Sequence, residues 1–160
     1  MMQEYVLGIV TREYRGMTQV LLGIKQEKIG AGLWNGPGGK IEPGQTSEEA
    51  LLDECRTEAG IIPVSYCYRG KVEYRFDTGK VLPVHFFHVT SYSGEVGNGN
   101  QREMKHWRWW NETELPYEKM MEADKRVFPL VLAGNNVRGV VNYTTQEPKP
   151  KLISLELYLS

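Results

Sequence analysis

Glu54 and Glu58 stand four residues apart in a stretch, Leu51–Ala59, whose apolar residues repeat at helical spacing. Each helical residue advances about 100°, so the two carboxylates project about 40° apart on one side of the helix. Leu51, Leu52, Cys55 and Ala59 fall on another side, which is the expected buried face. A glutamate pair at this spacing is ordinarily a solvated acidic face. The residues just upstream change that reading. Asn35-Gly36-Pro37-Gly38-Gly39-Lys40 is a glycine-rich turn that lets backbone approach a ligand closely, and Lys40 adds a point charge suited to phosphate. Two carboxylates one turn apart suit a hard cation with oxygen ligands, Mg²⁺ or Mn²⁺, facing a polyphosphate.

Those residues need elements to hold them. Tyr5–Thr11 alternates as a strand, Arg12–Thr18 turns, and Gln19–Lys25 is a second strand. Gln26–Gly39 is long for a plain connection, which favours a functional loop. Thr46 or Ser47 caps the carboxylate helix, Glu48 and Glu49 occupy its first turn, and Gly60 closes it as a left-handed cap. Tyr66–Phe76 and Val81–Ser91 are strands around the hairpin signal Asp77-Thr78-Gly79. Ser93–Asn100 is expected to be a surface loop, Glu103–Trp110 a strand, and Tyr117–Gly134 a helix broken near Pro129. Val137–Thr144 and Leu152–Leu159 complete about seven strands and two helices. The expected class is α+β, a mixed sheet between helices, in a single domain over residues 1–160.

The composition sets outer limits. The chain has 160 residues, is 41% apolar and 24% charged, and carries a net charge of −1. That balance gives no bulk basic character for holding long nucleic acid. No apolar run approaches a membrane span, and the N-terminus lacks a positive leader with a cleavage site. Cys55 and Cys67 have no metal-type spacing, and Cys55 falls on the helix's apolar side. The expected setting is reduced and cytoplasmic.

Gly39, Gln45 and Asp53-Glu54-Cys55-Arg56-Thr57-Glu58-Ala59-Gly60-Ile61 resemble the Nudix box, G-x5-E-x7-R-E-U-x-E-E-x-G-U, where U is aliphatic. Gly39, Glu54, Glu58, Gly60 and Ile61 match, and Cys55 is an acceptable U. Asn35 in its Trp-Asn-Gly turn, Glu103–Pro116, Phe128–Asn135 and the last strand extend the likeness to the MutT-type branch, which hydrolyses oxidised purine nucleoside triphosphates. The resemblance implies the Nudix fold and cleavage to a monophosphate plus pyrophosphate. It also implies that Glu58 binds metal, that Glu54 binds metal or acts as base, and that the Gly38 carbonyl is a further ligand. Glu103 resembles the distant carboxylate that completes the metal site or takes the proton of water.

On the base side, the resemblance places Asn35 and Asp124 as readers of a purine, Met121 as the platform beneath it, Ile29 as a lining residue and Lys25 as a pocket lysine. Several positions depart from the family. Ala123 replaces the first of two aspartates, and Met121 replaces a tryptophan. Thr57 replaces a carboxylate ligand. Gln45 and Asp53 replace a Glu–Arg pair, and are expected to recast it as an amide donating to a carboxylate. The expected partner is a nucleotide, with neither membrane nor long nucleic acid, and the chain is expected to be a monomer or weak homodimer. Two other functions fit less of the pattern: nucleotide binding without turnover, and cleavage of RNA 5′ ends or dinucleoside polyphosphates. Trp107 and Trp109 are expected on one face of their strand, as core, and Trp110 on the other.

Overall fold

The computed structural model describes residues 2–146 and 149–160. β1 (Tyr5–Tyr14) and β2 (Met17–Lys25) are joined by Arg15-Gly16. Both linking residues have positive φ, 51° and 78°, the twist a two-residue hairpin needs. β3 (Trp34–Asn35) pairs with β2, and β4 (Gly38–Lys40) pairs with the start of β1, so the end of the expected loop is built into the sheet. β5 (Ile61–Phe76) and β6 (Val81–Gly94) form a long antiparallel pair around the expected hairpin. β7 (Met104–Asn111) pairs with β2, while β8 (Val137–Tyr143) and β9 (Leu152–Leu159) extend the far edge. The sheet runs β3-β2-β1-β6-β5-β8-β9, with β1 parallel to β6 and β5 parallel to β8.

Adjacent residues of the central strands point to opposite faces, and both faces are covered. Ile9 and Phe86 join Val127, Phe128 and Val131 of one helix, while Val10 and Phe87 join Leu51, Cys55 and Ala59 of the other. A strand buried on both faces reads as an unbroken apolar run, as Leu7–Val10 and Phe86–Phe87 do. The result is the expected α+β sandwich. Trp107 and Trp109 pack on the Cys55 side and Trp110 on the Phe128 side, as strand alternation predicts.

Helix α1 (Ser47–Glu54) is capped by Thr46, whose hydroxyl accepts from the Glu49 amide while the Glu49 carboxylate accepts from the Thr46 amide. Its last turn widens into a π-helical turn over Cys55–Ala59, ending on Gly60 at φ 79°. The second helix corrects the sequence expectation. Tyr117–Lys119 is a single 3₁₀ turn, Met120 is extended, and α2 spans only Asp124–Leu132. Pro129 lies inside α2 without ending it. Pro129 and Lys125 are both on the exposed side, where water can serve the carbonyl the proline leaves without a donor. Among the described residues no helix is long and apolar enough to cross a membrane.

Candidate functional site

The glycine turn and α1 meet because two side chains are missing. A Cβ on Gly38 would lie 2.3 Å from the Val6 carbonyl, and one on Gly39 would lie 2.7–2.9 Å from the Glu54 carboxyl group. Only glycine lets β4 press against β1 and Glu54 lie across the strand. Glu58, one turn further on and 3% exposed, accepts a hydrogen bond from the Gly38 amide at 2.9 Å. Glu103, immediately before β7, brings a third carboxylate. One oxygen from each of Glu54, Glu58 and Glu103 lies within 4.8 Å of the others.

Burial first, then the Glu103 charge, pushes the Glu54 carboxyl up to about 7. Burial pushes Glu58 up to about 9, against the Gly38 hydrogen bond and with help from Glu54 and Glu103. Near neutral pH three carboxylates in this space resist ionising together unless a cation joins them. Lys25, which faces Glu58 and Glu103, has its own pKa lowered by burial, although Glu58 pulls it upward. An all-oxygen donor set short of positive charge fits a hard divalent ion.

The carboxylates form one end of a cavity of about 380 Å³. Every residue expected to hold metal, act on the substrate or bind it lines the cavity: Lys25, Ile29, Asn35, Gly38, Lys40, Glu54, Glu58, Glu103, Met121 and Asp124. The other end is apolar. Tyr74 and Phe76 of β5 and Leu82 and Phe86 of β6 line it beside Met121. Asp124 opens α2 there, 6% exposed, with its Oδ2 atom lacking a hydrogen-bond partner among the described residues. Burial raises its carboxyl to about 7, against the opposing pull of Lys149. Tyr143 braces this end from behind. Its ring stacks on Tyr74 and Phe76, and its hydroxyl accepts from the Ala123 amide at 2.6 Å. The Oδ1 atom of Asn35 accepts from the Gly36 amide, leaving the amide nitrogen as its free donor.

Sequence reasoning missed Tyr74, Phe76, Leu82, Phe86 and Lys80, all of which line the cavity. The alternation of Tyr74 and Phe76 along β5 puts them on one face, but nothing in it says that the face opens into a cavity. The departures from the box resolve differently from expectation. Gln45 accepts from the Glu42 amide, and Asp53 takes Arg56 at 2.8 Å, so the expected Gln45–Asp53 pair does not form and each makes a local contact instead. Thr57 donates its hydroxyl to the Asp53 carbonyl at 2.9 Å and is not among the cavity residues.

Comparison with known proteins places this geometry. The NUDIX domain model matches residues 2–131. An oxidized purine nucleoside triphosphate hydrolase of Danio rerio is 30% identical over 126 residues, covering 78% of this chain and 79% of its own. The protein of the same name from Mus musculus is 29% identical over 146 residues, covering 89% and 88%. A crystal structure of a MutT protein from Bacillus halodurans superposes with a TM-score of 0.79 at 28% identity, covering 98% of this chain and 97% of that one. With a domain match over most of its length and a fold shared end to end, the chain belongs to the Nudix family.

Proposed function

We propose that this protein hydrolyses oxidised purine nucleoside triphosphates to the monophosphate and pyrophosphate, with the triphosphate at the carboxylate end of the cavity and the base at the Asp124 end. One observation carries the reading. A hard-cation carboxylate cluster and an apolar, aromatic-lined pocket with a single unsatisfied carboxylate share one cavity. That combination matches a ligand that is polyanionic at one end and a hydrogen-bonding ring at the other.

Glu54, Glu58, Glu103 and the Gly38 carbonyl would hold Mg²⁺, or Mn²⁺ in its place. Bound there, the ion supplies charge neutralisation on the phosphate oxygens. Lys25 and Lys40 bind the phosphates, and the bare β4 backbone lets the chain of phosphates lie close. Water attacks phosphorus, its proton passes to Glu54 or Glu103, the new P–O bond forms, and the bridging P–O bond breaks to release pyrophosphate. At the far end Met121, Ile29 and Tyr74 contact the faces of the base, while Asp124 and Asn35 read its edge. The oxidised purines are the favoured substrates because the named relatives carry that activity and the pocket offers both a donor and a carboxyl group for the altered edge. The reading takes residues 1–160 as one working domain, monomeric or weakly dimeric, in the reducing cytoplasm where Cys55 and Cys67 stay free.

The test is a substrate panel with purified protein, measuring pyrophosphate from 8-oxo-dGTP, dGTP, dATP and the pyrimidine triphosphates with Mg²⁺ and with Mn²⁺. The expected result is release from 8-oxo-dGTP ahead of dGTP. No release from any of them would overturn hydrolysis. Release that ignores oxidation would overturn the base assignment alone.

A further inference from the structure

β7 carries one residue more than the strand it pairs with. Leu22 faces Arg108 and Ile24 faces Lys105, so two steps along β2 correspond to three along β7. The extra residue is absorbed where His106 adopts φ 59°, in the left-handed region. Such a bulge bends the strand and re-aims the neighbouring side chain. Here the neighbour is Trp107, whose six-membered ring lies over Gly23. A Cβ on Gly23 would meet three atoms of that ring at 2.9–3.1 Å, so only a glycine leaves room for it.

From that seat the Trp107 indole Nε1–H donates to the backbone carbonyl of Glu58 at 3.1 Å. Carbonyls in a helix's last turn have no intrahelical partner. Those on either side are taken by backbone alone: Thr57 by the Asn100 amide and Ala59 by the Gly97 amide. Glu58 is the one whose carbonyl is met by a side chain, and its carboxylate is held separately by Gly38. Residue 58 is therefore gripped at both ends. Trp107 itself is not among the residues lining the cavity.

We propose that Trp107 is a positioning residue for Glu58. The bulge at His106 and the bare Gly23 seat an indole whose N–H fixes the backbone from which the metal-binding carboxylate projects. The inference rests on the reading of Glu58 as a metal ligand. It places the effect on ion binding rather than on the nucleotide, because Trp107 does not line the cavity and reaches it only through Glu58.

The experiment measures Mn²⁺ binding to nucleotide-free protein by the electron paramagnetic resonance signal of free Mn²⁺. Trp107→Phe keeps an aromatic ring over Gly23 and removes the donor. Its Mn²⁺ dissociation constant should rise about three- to tenfold. The nucleotide KM at saturating Mn²⁺ should stay within about twofold, since the pocket is untouched. In the wild-type protein the Trp107 indole N–H resonance, identified by its loss in Trp107→Phe, should shift when Mg²⁺ is added. Glu58→Gln separates the two levels. If it leaves Mn²⁺ binding intact, the metal assignment itself is overturned. If Glu58→Gln abolishes binding while Trp107→Phe binds Mn²⁺ like wild type, the positioning role alone is overturned. A wild-type indole resonance that ignores Mg²⁺ also overturns it, whether or not the variant folds.

Discussion

The two ends of the cavity are built by opposite means. At the carboxylate end, Gly38, Gly39, Glu54 and Glu58 come from one continuous stretch, and backbone fixes them: a Gly38 amide on Glu58 and a glycine surface under Glu54. At the base end, Ile29, Tyr74, Leu82, Met121 and Asp124 come from separate parts of the chain and meet only through the sheet and α2. The first end concentrates charge that burial and crowding make costly. The second concentrates apolar surface around one carboxyl group. Substitutions at the first should therefore stop the chemistry, and substitutions at the second should redirect it.

Glu58→Gln is the sharpest way to break that contrast. It keeps the shape and the capacity to accept from Gly38 but removes the charge. The rate of pyrophosphate release should fall about a hundredfold or more, the scale of losing a group that stabilises transition-state charge. Without metal, Glu58 is already mostly protonated at neutral pH, so the melting temperature of the metal-free variant should match or exceed wild type. A full-rate Glu58→Gln enzyme would remove the carboxylate end from the chemistry altogether.

Asp124→Asn should act on choice rather than on turnover. A hydrogen bond to a charged group contributes about 1.5–3 kcal/mol, so kcat/KM for an oxidised purine should fall about ten- to a hundredfold. The kcat for a poorly discriminated nucleotide should change little. Because the Asp124 carboxyl titrates near 7, it donates below that pH and only accepts above it. The ratio of kcat/KM values for 8-oxo-dGTP and dGTP should move between pH 6 and 8 in wild type and stay flat in Asp124→Asn. An equal loss for every base would show that Asp124 merely supports the fold.

A stability measurement sharpens the same contrast. Both Glu58 and Asp124 have folded-state pKa values above their ordinary ones, 4.5 raised to about 9 and 3.8 raised to about 7. Between those limits the folded protein holds protons that the unfolded chain has released. Stability of the metal-free protein should therefore fall as pH rises from about 4 to about 9. Mg²⁺ binds the ionised carboxylates, so its stabilising increment should grow over the same range, with about 2.7 kcal/mol expected when the ion is at a hundred times its dissociation constant. Melting curves at pH 5, 7 and 9 with and without Mg²⁺ check this. Glu58→Gln should flatten most of the slope above pH 7. A metal-free melting point that ignores pH would contradict it.

This difference in construction also explains what the sequence disclosed. The carboxylate end was legible because its residues sit at fixed spacing along one short segment, where helical geometry alone brings Glu54 and Glu58 to one side. Asp124 and Met121 were reachable only through the family resemblance, and Tyr74, Phe76 and Leu82 not at all, since strand alternation does not say which face of β5 and β6 opens into a cavity where α2 begins. The seven longer strands were legible from alternation, but β3 and β4, two and three residues long, were too short to show one. The start of α2 was not, because Tyr117–Ala123 has helix-forming residues that tertiary contacts hold in a 3₁₀ turn and an extended segment. The Gln45–Asp53 pair failed for a local reason: Arg56, one turn beyond Asp53, is a nearer and stronger partner than a distant amide.

Thr57 is the position where resemblance and structure disagree most usefully. Read against the box, it is a lost ligand that weakens the site. In the fold its hydroxyl closes onto the Asp53 carbonyl within its own helix, inside the π-helical turn, and Glu103, just ahead of β7, supplies the third carboxylate instead. Removing that hydroxyl costs one back-bond of a kind that contributes little to helix stability. Thr57→Ala should leave the rate of pyrophosphate release within about twofold and shift stability by no more than about 0.5 kcal/mol. Thr57→Glu asks the converse question by restoring the family's carboxylate. With three carboxylates already gathered, a fourth should add repulsion in the metal-free state and little rate, read as a lower metal-free melting point with turnover near wild type. A large gain in turnover would mean instead that the carboxylate end lacks a ligand that Glu103 does not replace.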